Sequence, residues 1–271
     1  SLYEYRSKRI WPGLDDKVLT SWNGLMLAAL AEAGQALGRS DYIDAARENA
    51  DFLHRTMRRD SGRLLRTWKA GASAKYNAYL EDYAYLADGL LALYEATFES
   101  RWLDWARELA DLMLQHFSDS ETGDFFDTSD DHERLIHRPK DLQDNAVPSG
   151  NAMAATVLLK LSLLTGNGET WSIAEKSIGS MTKFMSQYPS GFGQWLNAAS
   201  FIASEPREIA LVGSSEELEP FFAVLRAGYQ PFRVVAAAEE GASTVPLLKD
   251  RVRVDGKAAA YVCRQFVCEA P

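Results

Sequence analysis

The chain has 271 residues, of which 46% are hydrophobic, so it is long enough to bury the core of one large domain or two modest ones. Intrinsic disorder requires low hydrophobicity and high net charge, and this composition excludes it. The formal net charge of −9 argues against nucleic acid or an anionic membrane as a partner, because phosphate groups are bound by clustered Lys and Arg. No apolar run is long enough to span a bilayer, so we predict no membrane partner.

Two features of the chain bear on its context. It begins with Ser1 instead of Met, and the opening residues carry no leader pattern, so we expect a piece of a longer protein. Two cysteines are too few for a disulfide framework, which favours a reducing compartment, most simply the cytoplasm.

A unit of about sixty residues recurs along the chain, which is typical of repeat architectures. Residues 20–38, 83–98 and 151–165 are apolar almost all round, which predicts helices buried on every side. Each follows a short polar segment. These three polar segments are Trp22-Asn23-Gly24, Glu81-Asp82-Tyr83 and Asp144-Asn145.

A second helix with a single apolar stripe follows each apolar helix. These amphipathic helices are predicted over 41–59, 101–117 and 170–187, and a seventh helix over 193–203. The alternation predicts a mainly α fold, a partial (α/α) six-hairpin toroid with apolar helices inside and amphipathic helices outside. Seven helices are too few to close such a ring, so we expect the remaining toroid helices upstream of Ser1.

The character of the chain changes after about residue 205. Residues 208–213 and 232–236 are short apolar runs typical of buried strands, and Ser214 or Ser215 can cap a helix between them. Such a unit normally joins parallel strands by a right-handed crossover. Residues 258–267 predict a further extended segment. We therefore divide the chain into toroid hairpins at 1–205 and a small C-terminal α/β segment at 206–271.

The starts of the inner helices face one mouth of the predicted toroid, and they carry carboxylates and aromatic rings. Two carboxylates beside a sugar perform acid and base work in glycosidases. We therefore predict Asp82 and Asp144 as the catalytic acid and base. The alternates for the catalytic role are Asp16 and Glu81. The predicted sugar contacts are Trp22, Asn23, Tyr83, Asn145 and Asn151. The alternative is that Asp and Asn at these positions cap free helix N–H groups.

A long polar loop over 118–151 precedes the third apolar helix, and long loops are often functional. His137 and Arg138 lie near that helix start and are added to the predicted substrate contacts. Arg138 and Lys140 also suit a salt-bridge network with Asp141 and Asp144, which is the structural alternative. The aspartate spacing does not match a twelve-residue calcium loop, and we predict no metal and no cofactor.

Cys263 and Cys268 are five positions apart. In a straight strand they would be separated by about 16 Å, too far for a disulfide, so a bridge requires a turn at Arg264-Gln265. Two free thiols and one local disulfide both remain open. A redox role towards another domain is a third, weaker alternative.

Four ordered motifs resemble one known family. They are KVLTSWNGLM at 17–26, LEDYAYL at 80–86, DNAVPSGN at 144–151 and AYVCRQFVCEAP at 260–271. The chain resembles the C-terminal half of the YyaL-type, thioredoxin-domain-containing proteins, the family that includes spermatogenesis-associated protein twenty. The resemblance implies an N-terminal thioredoxin-like domain ahead of a six-hairpin toroid like those of glycosidases and N-acylglucosamine 2-epimerases. The resemblance does not identify any catalytic residue in this chain.

Two functions from different classes follow. The first is a carbohydrate-binding or carbohydrate-processing toroid that resembles glycosidases or sugar epimerases and takes a sugar or sugar derivative as ligand. The second is a non-catalytic scaffold that docks the thioredoxin-like domain or a protein client, with the polar groups of the mouth used as internal caps and salt bridges.

Overall fold

The computed structural model describes residues 1–133 and 136–271. Its helices are α1 Leu2–Ser7, α2 Thr20–Leu37, α3 Ser40–Thr56, α4 Leu80–Thr97, α5 Ser100–His116, α6 Gly150–Thr165, α7 Gly168–Gln187, α8 Gly193–Ala203 and α9 Ser215–Arg226. Its strands are β1 Val18–Leu19, β2 Leu65–Trp68, β3 Lys75–Asn77, β4 Arg207–Val212, β5 Arg233–Ala238, β6 Ala259–Arg264 and β7 Val267–Cys268.

The helical hairpins are arranged as the apolar patterns predict. The helices α2, α4 and α6 lie side by side, and α3, α5 and α7 each pack against one of them from outside. Left-handed residues end the first and third inner helices at Gly38 and Gly166, with φ of 63° and 74°. The mainly α fold and its partial toroid of hairpins are confirmed.

The first inner helix differs from the prediction in one respect. Residues 20–38 were expected to be buried on every side, but Trp22, Met26 and Leu37 are 63%, 55% and 67% exposed. The reason is that α2 packs against α3 and α4, and in the described part of the chain no further hairpin covers its other side. An apolar helix face of this kind normally lies against another element.

The tight contact between α2 and α4 depends on two glycines. A Cβ at Gly24 would lie 2.6 Å from the backbone nitrogen of Leu86, and a Cβ at Gly89 would lie 2.6 Å from the carbonyl oxygen of Gly24. Real Cβ atoms do not approach backbone atoms so closely. Glycine is therefore required for these two helix axes to come together, and the crossing fixes how the starts of α2 and α4 are placed.

A small sheet that the sequence patterns did not predict joins the starts of the inner helices. The strands β1, β2 and β3 are antiparallel in that order, and β2 brings Arg66 beside the start of α4. These strands have two to four residues and lie in polar loops, so they carry too short an alternation to be read from the sequence.

The C-terminal segment forms a four-stranded sheet in the order β5-β4-β6-β7. The parallel pair β4 and β5 is joined through α9, as predicted, and β6 runs antiparallel to β4. Val234, Ala236 and Tyr261 belong to the same apolar core as the hairpins. The change of architecture falls between α8 and β4, but the shared core leaves the division into two units a prediction.

The sheet meets the inner helices through a half-buried carboxylate. Glu95, near the end of α4, accepts a hydrogen bond of 3.0 Å from the backbone N–H of Val235 in the edge strand β5. Burial raises the pKa of Glu95 to about 6. This contact covers part of the sheet edge, which would otherwise present unpaired backbone groups. Within residues 1–133 and 136–271, no helix is both long and apolar enough to traverse a bilayer.

We predict that Gly24→Ala and Gly89→Ala each lower the free energy of unfolding by about 1–3 kcal/mol, because an added methyl group overpacks a close helix crossing. Urea denaturation followed by circular dichroism measures this change. Gly179→Ala on α7 is the matched control, since nothing lies within 4 Å of its Cβ. The control is expected to stabilise by about 0.5–1 kcal/mol through helix propensity. Equal effects at Gly24 and Gly179 would contradict the account of the crossing.

Candidate functional site

The carboxylate of Asp82 joins three elements at the predicted mouth. Its Oδ1 accepts from the backbone N–H of Ser21 at 2.9 Å, and its Oδ2 accepts from the N–H of Tyr79 and from Arg66 Nη1, both at 2.9 Å. The residue is fully buried, and that burial raises its pKa to about 6 against the opposing effect of Arg66. Asp82 therefore caps the starts of α2 and α4 and presents no free oxygen to a ligand.

Asp144 has a similar structural position. Its two oxygens accept from the backbone N–H groups of Ser149 and Gln194, both at 2.7 Å. These contacts tie the approach to α6 to the first turn of α8, where N–H groups lack helical partners. The sequence prediction correctly brings Asp82 and Asp144 to helix starts. Their hydrogen bonds match the capping alternative, and a catalytic role for either stays untested.

The neighbouring Glu81 is more open than Asp82. It forms a 2.8 Å ion pair with Arg66, whose guanidinium also lies 4.5 Å from the ring centroid of Tyr79. About a third of its side chain is exposed, at 30%. Glu81 is therefore a partnered carboxylate at the surface of the mouth and keeps access to solvent.

Two predicted sugar contacts are corrected by their burial. Tyr83 is 1% exposed, packs on Phe117 at 5.1 Å between ring centroids, and accepts hydrogen bonds from Arg63 and from the backbone N–H of Leu64. Asn151 is 0% exposed, and its amide accepts from Phe125 N–H at 2.7 Å and donates to Phe125 O at 3.0 Å. Neither side chain offers a surface to a ligand. The sequence shows an aromatic and an amide, but not which way they face.

The remaining predicted contacts near α2 and α6 are spread over the surface. Asp16 pairs with Lys69 at 2.7 Å, and Asn23 donates to the carbonyl of Leu19 at 2.8 Å. Trp22 lies on the exposed face of α2, and the side chain of Asn145 is exposed. Trp22 and Asn145 therefore remain open to solvent, whereas Asp16 and Asn23 have partners within the chain.

The loop before α6 forms a salt-bridge network, but with other partners than the predicted Asp141 and Asp144. Lys140 donates to the carboxylates of Asp119 and Asp124 at 2.5 Å each, and Lys140 holds the pKa of Asp119 down at about 2. Arg138 donates to the carbonyl of Thr128 and lies 4.0 Å from the ring centroid of Phe126. His137 is exposed. Arg138 and Lys140 thus stabilise the loop, and His137 is the loop residue left facing solvent.

One acidic group of this region was not singled out from the sequence. Asp127 is half-buried, and its Oδ1 accepts from the backbone N–H of Asp141 at 2.9 Å. Burial raises its pKa to about 6, and the charges of Asp141 and Glu81 add to the effect. A carboxylic acid that titrates near neutrality beside two other carboxylates is typical of acid–base sites. Only the folded loop brings Asp127 to the inner-helix starts, so no spacing in the sequence marks it.

A second cluster that the sequence analysis missed joins the inner helices farther from their starts. Lys160 on α6 donates to Asp88 on α4 at 2.7 Å. Burial lowers the pKa of Lys160, but the charges of Asp88, Glu95 and Glu32 together raise it above its ordinary value. This ion pair links the neighbouring inner helices α4 and α6. Intervals of seven residues along α4, from Glu81 to Asp88 to Glu95, are the sequence signal that marks one helix face.

One group of potential metal ligands lies elsewhere, between α5 and the following loop. The ligand atoms of His116, Asp130 and Asp131 lie within 4.8 Å of one another. Arg63 forms two hydrogen bonds of 2.8 Å to Asp131, and His116 Nδ1 lies 2.8 Å from Asp130. A guanidinium already neutralises part of this group, so internal ion pairing accounts for the arrangement.

We predict that Asp82→Ala lowers the free energy of unfolding by about 3–5 kcal/mol, because it leaves two buried N–H groups and a guanidinium without their acceptor. Asp144→Ala, which removes caps alone, is expected to cost about 1–2 kcal/mol. Chemical denaturation of both variants measures the difference. A cost at Asp82 no larger than at Asp144 would contradict the triple bridging role.

The raised pKa of Asp127 predicts a pH dependence of stability. The folded state binds this proton more tightly than the unfolded chain, whose value lies near 3.8. The resulting stability is present at pH 4 and is lost as the pH rises through about 6. Asp127→Asn should remove this contribution from the pH profile of unfolding, whereas the exposed Asp60→Asn should leave the profile unchanged. Identical profiles for both variants would refute the assignment.

Comparison with solved structures supports the fold. A sugar epimerase from a ruminal bacterium matches with a TM-score of 0.54 and 14% identity, over 79% of this chain and 60% of that one. D-mannose isomerase matches with a TM-score of 0.52 and 16% identity, over 63% of this chain and 43% of that one. Unsaturated glucuronyl hydrolase specific for heparin matches with a TM-score of 0.51 and 18% identity, over 64% of this chain and 48% of that one. At these identities the likeness shows the (α/α) toroid fold alone.

No family model matches the chain. Among curated proteins, it is 34% identical over 289 residues to spermatogenesis-associated protein 20 of Homo sapiens and 32% identical to that of Mus musculus. Both alignments cover 100% of this chain and 36% of the relative. An uncharacterised protein of Caenorhabditis elegans is 27% identical over 287 residues. The chain thus spans little more than a third of the length of these relatives.

The chain is therefore a homologue of spermatogenesis-associated protein 20, as its four motifs predicted, and it corresponds to 36% of that protein's length.

Proposed function

We propose that this chain is part of a carbohydrate-binding, sugar-processing toroid, and that Glu81, Asp127 and Asp141 are the carboxylates that face the sugar. The observation that carries the proposal is Asp127, a half-buried acid whose pKa lies near 6 beside two other carboxylates at the inner-helix starts. The toroid fold shared with sugar epimerases and hydrolases agrees with it. The site therefore shifts from Asp82 and Asp144 to their less occupied neighbours.

The proposed chemistry gives one carboxyl group the task of exchanging a proton and the others the task of accepting hydrogen bonds. Asp127 is able to exchange a proton near neutral pH, which suits a general acid or base. Asp141 is exposed and Glu81 is partly exposed, so both are available as acceptors for sugar hydroxyls. Trp22, exposed on α2, supplies an aromatic face of the kind that stacks on sugar rings. Glycosidic bond cleavage and epimerisation both use such groups, and we propose no choice between them.

The charge of the site favours neutral sugars as ligands. Arg66 is the cation paired with Glu81 and Asp82, and the two remaining carboxylates, Asp127 and Asp141, have no ionic partner in the described residues. An anionic sugar would meet like charge in this half-buried site, which costs binding free energy. We therefore propose a hydroxyl-rich, uncharged substrate.

We further propose that the remaining toroid helices and a thioredoxin-like domain come from other parts of the full-length polypeptide. The exposed apolar side chains of Met26 and Leu37 on α2 support an additional inner helix at this edge. The missing helices would complete the wall opposite Glu81 and Asp127. A cytoplasmic location is also a proposal, and it rests on the low cysteine content alone.

We predict that isothermal titration calorimetry of the full-length protein detects binding of D-mannose or D-glucose, and at least tenfold weaker binding of D-glucuronate. Asp141→Asn should weaken the neutral sugar about tenfold or more, since a hydrogen bond to a charged group contributes about 1.5–3 kcal/mol. The exposed Asp60→Asn is the matched control. Unchanged affinity in Asp141→Asn and Asp127→Asn would overturn the proposed site.

A scaffold function is the second candidate, and one observation favours it. The oxygens of Asp82 and Asp144 are all occupied by internal hydrogen bonds, as expected if the polar mouth only caps its helices. In that case the exposed face of α2 docks the thioredoxin-like domain or a protein client. The same titration separates the two functions, because the scaffold predicts no heat of binding from any of the three sugars.

A further inference from the structure

The two cysteines lie opposite each other at the C-terminal end of the sheet. The chain turns after Arg264, so that Cys263 in β6 pairs with Cys268 in β7, and their sulfurs form a disulfide. The turn lies at Gln265 and Phe266, one residue later than the predicted turn at Arg264-Gln265, because Arg264 still pairs with Val267. The local disulfide is the alternative that the structure adopts. This pair belongs to the C-terminal sheet and shares no residue with the proposed sugar site.

A guanidinium group points at this disulfide. Arg251 Nη2 lies 2.8 Å from Cys268 Sγ and 4.0 Å from Cys263 Sγ. Its Nε is buried and donates to no acceptor, and none of the salt bridges in the described residues involves Arg251. Arg251 also acts on Glu208, whose pKa it lowers against the larger effect of burial, and lies 5.2 Å from the ring centroid of Tyr261. Neither contact is an ion pair, and a neutral disulfide sulfur does not balance this positive charge. A Cys268 thiolate would balance it, because cations stabilise thiolates and lower the pKa of the thiol.

The surroundings of the two sulfurs are different. Cys263 is 1% exposed and lies directly across the antiparallel ladder from Glu208, a buried carboxyl group. Burial raises the pKa of Glu208, and its Oε1 has no hydrogen-bond partner. Cys268 is only partly buried and has Arg251 as its neighbour. After reduction, a negative charge on Cys268 would lie beside a cation, whereas a negative charge on Cys263 would lie buried across from a carboxyl group.

The other charged and titratable groups around the pair do not cancel this asymmetry. Tyr261 donates its hydroxyl proton to the carbonyl of Val252 at 2.8 Å. Arg264 pairs with Glu205 at 3.2 Å on the exposed side of the hairpin. Glu269 follows Cys268 in the exposed C-terminal residues. The cation nearest Cys268 Sγ is Arg251, and the carboxyl group nearest in register to Cys263 is Glu208.

We propose that Cys263–Cys268 is a redox-active disulfide that exchanges with an external dithiol, with Cys268 as the exchanging sulfur and Cys263 as the resolving thiol. The thiolate of the dithiol attacks Cys268 Sγ, and the Cys263 sulfur leaves and takes up a proton. The second thiol of the reagent then attacks its own sulfur in the mixed disulfide and expels the Cys268 thiolate, which Arg251 stabilises. The dithiol loses two electrons and becomes a cyclic disulfide, while the protein gains two thiols.

The hairpin is built to keep the two cysteines together in both redox states. Gln265 and Phe266 form its turn with φ of 49° and 61°, the positive values that a tight hairpin of this type requires. Glu208 Oε2 accepts the backbone N–H of Phe266 at 2.8 Å and so holds this turn to β4. Since this hydrogen bond does not involve the sulfurs, it would help to keep the thiols opposed after reduction, so that the disulfide can form again.

The test measures the reactivity of Cys268 in the chain with Cys263→Ser. The rate of alkylation by iodoacetamide is followed against pH by mass spectrometry. We expect half-maximal reactivity at least one pH unit below the ordinary thiol value of about 8.5. Arg251→Gln, added to Cys263→Ser, should raise that midpoint, and Arg251→Lys should restore most of the shift. A midpoint near 8.5 with Arg251 present would overturn the proposal, even if the Arg251→Gln protein does not fold.

A second measurement tests the exchange in the unmodified chain. Dithiothreitol in native buffer should release two thiols, while circular dichroism remains that of the folded protein. In Cys263→Ser the single remaining thiol should form a mixed disulfide with oxidised glutathione faster than the thiol of Cys268→Ser. Reduction that occurs only after unfolding, or faster exchange at Cys263, would refute the assigned roles.

Discussion

The structure depends on one buried carboxylate. Asp82 holds the backbone N–H groups at the starts of two inner helices and receives the guanidinium of Arg66 from the small sheet. The close approach of Gly24 and Gly89 brings these helix starts within reach of a single side chain. Since breaking a buried ion pair leaves an uncompensated charge, the mouth of the hairpins cannot easily rearrange around Asp82. This constraint decides which other polar groups remain free.

Carboxylates at the same mouth therefore have two different uses. Asp82 and Asp144 satisfy helix termini, whereas Asp127 and Asp141 lie beside them without an ionic partner in the described residues. Burial raises the pKa of Asp127, which has no cation beside it in the part of the chain that the structure describes. Burial also raises the pKa of Asp82, and the nearby charge of Arg66 only partly offsets that rise. Hydrogen-bond occupancy is thus the basis on which we propose Asp127 and Asp141, and not Asp82 and Asp144, as the acids that face a ligand. The disulfide in the C-terminal sheet follows the same logic, because no salt bridge in the described residues involves Arg251.

The fold was largely predictable from the sequence, whereas the site was not. Helical periodicity gives the alternation of inner and outer helices directly, since it reports burial averaged over many residues. Single side chains are different. Tyr83 and Asn151 have the residue types of sugar contacts, but their directions are set by Phe117 and by the backbone of Phe125, which lie far away in the chain. Asp127 became a candidate only through the loop that returns it to Asp141. The exposure of α2 was likewise hidden, because periodicity shows an apolar face but not whether a neighbour covers it.

The most direct test of the central claim is carbon-13 NMR of the aspartate carboxyl groups in the full-length protein, titrated with D-mannose. The account predicts that the Asp127 and Asp141 resonances shift with the sugar, while those of Asp82 and Asp144 stay fixed because their oxygens are already occupied. Shifts at Asp82 and Asp144 with none at Asp127 and Asp141 would contradict the division between capping and ligand-facing carboxylates.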